Sequence, residues 1–89
     1  MITISEGEWI ADLNAMTCRN YINNIVVVFE KKGKIPIGKI KDIPIELLEK
    51  WAALPHGENN IKNAVMEAEE VFLRAYLENY IEKTEAPLR

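Results

Sequence analysis

Three observations predict an α+β fold. A β-branched run, Ile25 to Phe29, is bounded by Asn23 and Asn24, and after a polar turn the alternating Ile35, Ile37 and Ile40 follow with lysines between them. An apolar repeat opened by a proline begins just past Asp42. From Glu58 to about Glu82 the chain then runs without Gly or Pro, with apolar residues three and four apart. The expected architecture is an N-terminal helix or short strand, an antiparallel β-hairpin, a short helix, and a long C-terminal helix packed on the sheet.

At the N-terminus, Ser5 followed three residues later by Glu8 fits a capping box, and Trp9, Leu13 and Met16 recur at i, i+4 and i+7 with Ile10 beside them. A helix over roughly residues 6–16 is expected. Because Gly7 would fall in its first turn, a short strand is the alternative. The hairpin comes next, with Lys31-Lys32-Gly33-Lys34 as its turn. Pro36 cannot donate to a ladder and Gly38 suggests a bulge, so the second strand is expected at an edge or with an irregular start. The unbroken apolar run of the first strand suits burial on both faces.

In DIPIELLEKWAALP, Pro44 fits the first helical position, and Ile45, Leu48, Trp51 and Ala52 share a face. Pro55 ends that helix, Gly57 turns the chain, and Glu58, Asn59 or Asn60 can cap the next one. At ~1.5 Å per residue the last helix would reach roughly 37 Å, against a globule diameter of roughly 31 Å for this length. Its overhang needs cover. One stripe, Ile61, Ala64, Val65, Ala68, Phe72, Ala75 and Tyr76, is expected to pack on the hairpin. The candidate interface is a second set confined to the C-terminal half: Val71, Leu73, Leu77, Tyr80 and Ile81. Either a second copy of the chain covers it, giving a homodimer, or the N-terminal helix of the same chain does.

Composition bounds the rest. The 89 residues suit one domain, 1–89, with 84–89 as a frayed tail, and the chain is 48% hydrophobic and 28% charged, as folded proteins are. A single cysteine, Cys18, makes no internal disulfide, and MITISEGEWI has neither the basic nor the apolar stretch of a signal peptide. The expectation is a cytoplasmic protein without a membrane span. The net charge of −3 is uneven: residues 1–30 balance at −3, residues 31–50 at +3 and residues 51–89 at −3. The candidate basic patch is Lys31, Lys32, Lys34, Lys39 and Lys41. It holds no Arg and no aromatic, so lysines guarding a sheet edge are preferred to a nucleic-acid site.

Chemistry-bearing residues are sparse. His56 has no Cys or His at ligand spacing, and as the polar residue of a helix-connecting turn it needs no catalytic role. Cys18 could act as a nucleophile with His56 if the fold paired them; a free cysteine is more often a small buried hydrophobe. Glu67, Glu69 and Glu70, with Arg74 and Glu78 at four-residue spacing, read as a solvated helix face. Gly33, Gly38 and Gly57 lack phosphate-loop spacing. No enzyme activity, cofactor, metal or small-molecule substrate is expected.

The stretch MTCRN to NNIVVVFE, with GKIKDIPIELLEKWAALPHGE and AVMEAEEVFLRAY, resembles small uncharacterised spirochaete proteins in which a hairpin precedes two helices. That resemblance implies the same order of elements and no activity. Leu48, Glu49, Trp51, Leu54, Pro55, Ile61, Asn63, Ala64 and Met66 also resemble the C-terminal spacing of a small phage anti-CRISPR family of sheet-plus-helix proteins. The N-terminal parts do not match. The expected function is a non-catalytic protein-protein interaction module, self-associating through its last helix. The alternatives are an anti-CRISPR-like inhibitor of a nucleic-acid machine and a nucleic-acid binder using the lysine hairpin.

Overall fold

The sheet comes first in the chain and the helices second. The computed structural model describes residues 3–81, the side chain of Ile81 excepted; the expected tail at 84–89 lies outside the described residues. Strands β1 (Thr3–Glu6), β2 (Trp9–Asp12), β3 (Thr17–Asn20), β4 (Val26–Lys32) and β5 (Ile35–Asp42) form one antiparallel sheet in sequence order. Helix α1 (Ile45–Ala52) and helix α2 (Glu58–Tyr76) follow, and α2 continues into a π-helical turn, Leu77–Ile81. The class is α+β.

Residues 6–16 take the strand alternative and not the helix. Residues four apart share a face in a helix and in a strand alike, so Trp9 and Leu13 satisfy both periods. Ala11 decides between them: Trp9, Ala11 and Leu13 are buried, while Ile10 and Asp12 point to the other face. Gly7, at φ 60°, sits in the two-residue turn that pairs Glu6 with Trp9, a backbone region that costs a glycine nothing. The next turn is built by Asp12, whose Oδ1 accepts the N–H groups of Asn14 at 3.0 Å and Ala15 at 3.1 Å. Strand β3 has no counterpart among the expected elements. At four residues, TCRN is too short and too polar to show a period.

The hairpin forms where expected, and Pro36 lies on the outer strand. Two details differ. The register shift falls between Val26 and Val27, not at Gly38. Gly38 serves a different purpose: a Cβ there would sit 2.8 Å from Cε2 of Phe29, so the bare backbone makes room for that ring. Nor is β4 buried on both faces. Val27 and Phe29 enter the core, whereas Val26 and Val28 are half-buried on the face without a helix. The free edge of β5 is blunted, since Pro36 has no N–H and that of Gly38 donates to Glu69 Oε2 at 3.4 Å.

Helix α2 lies across β2, β3 and β5 on the single covered face. Ala64, Ala68 and Ala75 bring its backbone close to the sheet, and between them Phe72 stacks on Phe29 with ring centroids 4.0 Å apart. The ladder continues through Tyr76 at 6.0 Å to Tyr80 at a further 5.1 Å. Arg74 pairs with Glu6 and so ties α2 to the outer strand β1; that carboxylate pushes the guanidinium pKa up. Asn79 Nδ2 donates to the Ala75 carbonyl at 2.8 Å, supplying a donor where the helix changes to π geometry. Helix α1 is rotated from its expected face: Leu47 and Trp51, with Ile43, pack on the core, while Ile45 is 65% exposed. Pro44 precedes the first helical residue instead of occupying it.

Candidate functional site

The residues singled out from sequence do not converge on one site. Val71 is buried against the sheet and belongs to the core stripe. Leu73 packs partly on that core, Leu77 is half-buried, Tyr80 is 40% exposed beside Tyr76, and the side chain of Ile81 lies outside the described residues. Met66, 61% exposed, extends this set to an outer stripe of Met66, Leu73, Leu77 and Tyr80 with spacings of seven, four and three. That is the spacing of a helix seam.

The five lysines are divided by the pleat. Lys32 and Lys39 flank Glu30 on the uncovered face, at 3.9 Å and 3.1 Å, and the Lys39 hydrogen bond holds the Glu30 carboxyl below its ordinary range. Lys31 stands opposite Pro36, with the side-chain parity of Phe29, Lys34 lies at the exposed turn, and Lys41 is the extra residue at the register shift. Cys18 and His56 occupy different environments. Cys18 lies in the buried row Ala11, Cys18, Val27, where burial pushes its thiol up to about 12. His56 is exposed between the helices.

That corner sets the geometry of a cleft. His56 takes the left-handed conformation, at φ 60°, while Gly57 has an ordinary helical φ of −62°. Gly57 is there for space: a Cβ would lie 1.7 Å from the Trp51 carbonyl oxygen. This close backbone approach fixes Trp51 beside the first turns of α2.

Trp51 then forms one wall of a cleft of about 330 Å³. The cleft is lined also by Glu8 of the β1–β2 turn, Trp9 of β2, Asn20 at the end of β3, and Asn23 and Ile25 of the β3–β4 connection. Asn60, Asn63, Ala64 and Glu67 close it from α2. Asn20, 2% exposed, organises the loop: its Oδ1 accepts the N–H groups of Ile22 at 2.9 Å and Asn23 at 2.8 Å, and its Nδ2 donates to Glu8 Oε1 at 3.2 Å. The indole N–H of buried Trp9 donates to Glu67 Oε1 at 3.2 Å. Each carboxylate is thus held by one donor from the floor of the cleft, and neither is matched by a basic side chain among the cleft's described lining.

No motif spacing announces this cleft, because its residues come from four separate segments. The sequence signal that could have pointed to it is the asparagine clustering at 20–24 and 59–63, beside the two tryptophans. Among the described residues, no three His, Cys, Asp or Glu side chains are grouped to hold a metal ion, and no helix is long and apolar enough to cross a membrane. No protein-family model matches the chain, and no curated protein or solved structure matches it either.

Proposed function

We propose that the protein is a non-catalytic protein-protein interaction module that pairs with a second copy through the outer stripe of its C-terminal helix. The observation that carries this reading is the row Met66, Leu73, Leu77 and Tyr80, in which Met66 and Tyr80 are substantially exposed and Leu73 and Leu77 half-buried. An apolar seam on a helix is stabilised by a facing helix. A non-catalytic role is supported by the separate settings of the buried, protonated Cys18 and the exposed His56. Sedimentation equilibrium at tens of micromolar tests the pairing. The chain should sediment as a dimer, and Met66→Glu with Leu77→Glu should make it a monomer without loss of helical signal. A wild-type monomer would remove the basis of the proposal.

A second reading is an anti-CRISPR-like inhibitor that blocks a basic surface on a larger nucleic-acid machine. It is favoured by the carboxylates of Glu67, Glu69, Glu70 and Glu78 carried on α2 and its extension, in a chain of net charge −3. Complementary potentials are what such docking uses. Its test is competition: the target should lose nucleic acid as this protein is added.

A further inference from the structure

We infer that the cleft between the β3–β4 connection and the α1–α2 corner binds a guanidinium group, presented as an arginine-like cation. This goes beyond self-association, and the cleft adjoins the proposed seam: Glu67 lies about 100° around the helix from Met66 and about 120° from Leu73, and all three line one neighbouring pocket.

The chemistry of the walls selects the ligand. Glu8 of the β1–β2 turn and Glu67 of α2 line the cleft, both exposed to solvent, each with one oxygen held by a buried donor and the other without a hydrogen-bond partner among the described residues. Two carboxylates without a basic neighbour in the lining make the cleft an acceptor site of net negative charge. Asn23, Asn60 and Asn63 add carboxamide oxygens, and Trp51 offers an indole against which a flat cation can stack. A guanidinium matches this set, having a planar fork of donors and no acceptor. An ammonium ion can also sit against the indole, but as a compact point charge it lacks the planar fork that pairs with carboxylates through parallel hydrogen bonds.

The start of α2 does not reverse this preference. A helix N-terminus attracts anions through its free N–H groups, but those of Asn59 and Asn60 donate at 3.0 Å to the carbonyl oxygens of His56 and Gly57. Glu58 adds a negative charge to the first turn. The volume, about 330 Å³, is at the lower end for small-ligand sites and accommodates one side-chain-sized group.

Both tryptophans of the chain line the cleft, so their fluorescence reports its occupancy. Nα-acetyl-arginine amide should change the emission saturably, and raising salt from about 20 mM to about 200 mM should weaken binding several-fold. Glu8→Gln and Glu67→Gln should each weaken it about tenfold, as expected on losing one charge-assisted hydrogen bond. Both substitutions keep an acceptor for the buried donor, so folding is preserved, and circular dichroism checks this. The salt titration needs no variant. A blocked pentapeptide centred on arginine distinguishes the source: tighter binding than the amide assigns the cation to a partner's side chain, and equal binding to a free small molecule, each upholding the inference. An equal response to Nα-acetyl-lysine amide or to glucose, no effect of the two substitutions, or no saturable change would overturn it. Repeating the titration on Met66→Glu, Leu77→Glu keeps the two readings apart: saturable arginine binding by that variant stands whether or not the parent chain is a dimer.

Discussion

Substituting Gly57 by Ala separates two roles that a glycine in a turn can have. If Gly57 were needed for its backbone freedom, the cost would follow from φ, but its φ of −62° suits any residue and an alanine there would be favoured in a helix. The added methyl instead meets the Trp51 carbonyl oxygen at 1.7 Å and its carbon at 2.7 Å. Both are backbone atoms, so no rotamer change relieves the overlap. The α1–α2 corner must open by at least the 1.3 Å that separates 1.7 Å from the 3.0 Å minimum of real Cβ contacts. Overpacking of this kind costs about 2 to 3 kcal/mol. For a domain of this size that lowers Tm by roughly 10 to 20 °C. The control is His56→Gly, which replaces a left-handed non-glycine residue; relief of about 1 kcal/mol of backbone strain offsets glycine's entropic cost, leaving stability level or slightly raised. Thermal unfolding followed by circular dichroism measures both variants. Tryptophan emission should shift in Gly57→Ala alone, as Trp51 leaves the cleft wall. A Gly57→Ala protein as stable as the parent would refute the close approach.

Gly38→Ala should destabilise by about 1 to 2 kcal/mol in urea titrations, because the methyl displaces the Phe29 ring from its stack on Phe72. For Cys18, the thiol pKa is raised by burial to about 12 in the folded state, against about 8.5 when unfolded. Its contribution to stability is therefore complete below the unfolded value and is lost as pH rises toward the folded one. Urea midpoints between pH 8 and 11 should fall less steeply in Cys18→Ala, and alkylation of the native thiol at pH 8 should be slow until urea unfolds the chain. With Glu30 between Lys32 and Lys39, the hairpin should leave DNA and RNA unshifted in gels even at low salt; a salt-sensitive shift would restore the lysines as a nucleic-acid site.

The C-terminal half was legible because its signals are local. Pro44 and Pro55 bracket α1, one residue before its start and three after its end, and the alternating three- and four-residue stripe of α2 packs on the sheet much as its period requires. Val71, in the candidate interface by sequence, lies about 60° around α2 from Ala68, at the margin of the core stripe, and is buried with it. The N-terminal half was harder, because Trp9 and Leu13 fit both periods and strands of four residues show too few alternations to choose.

By itself, the sequence determined the class, the hairpin and the two helices, because proline geometry and hydrophobic period act within a few residues along the chain. Tertiary structure alone decided that the N-terminus extends the hairpin into a five-stranded sheet, that Gly57 is required for space, and that Glu8 and Glu67 share a cleft. The physical reason is range. Trp9 and Glu67, which hydrogen-bond across that cleft, are 58 residues apart, and no local period or propensity encodes a contact made by packing a helix across a sheet.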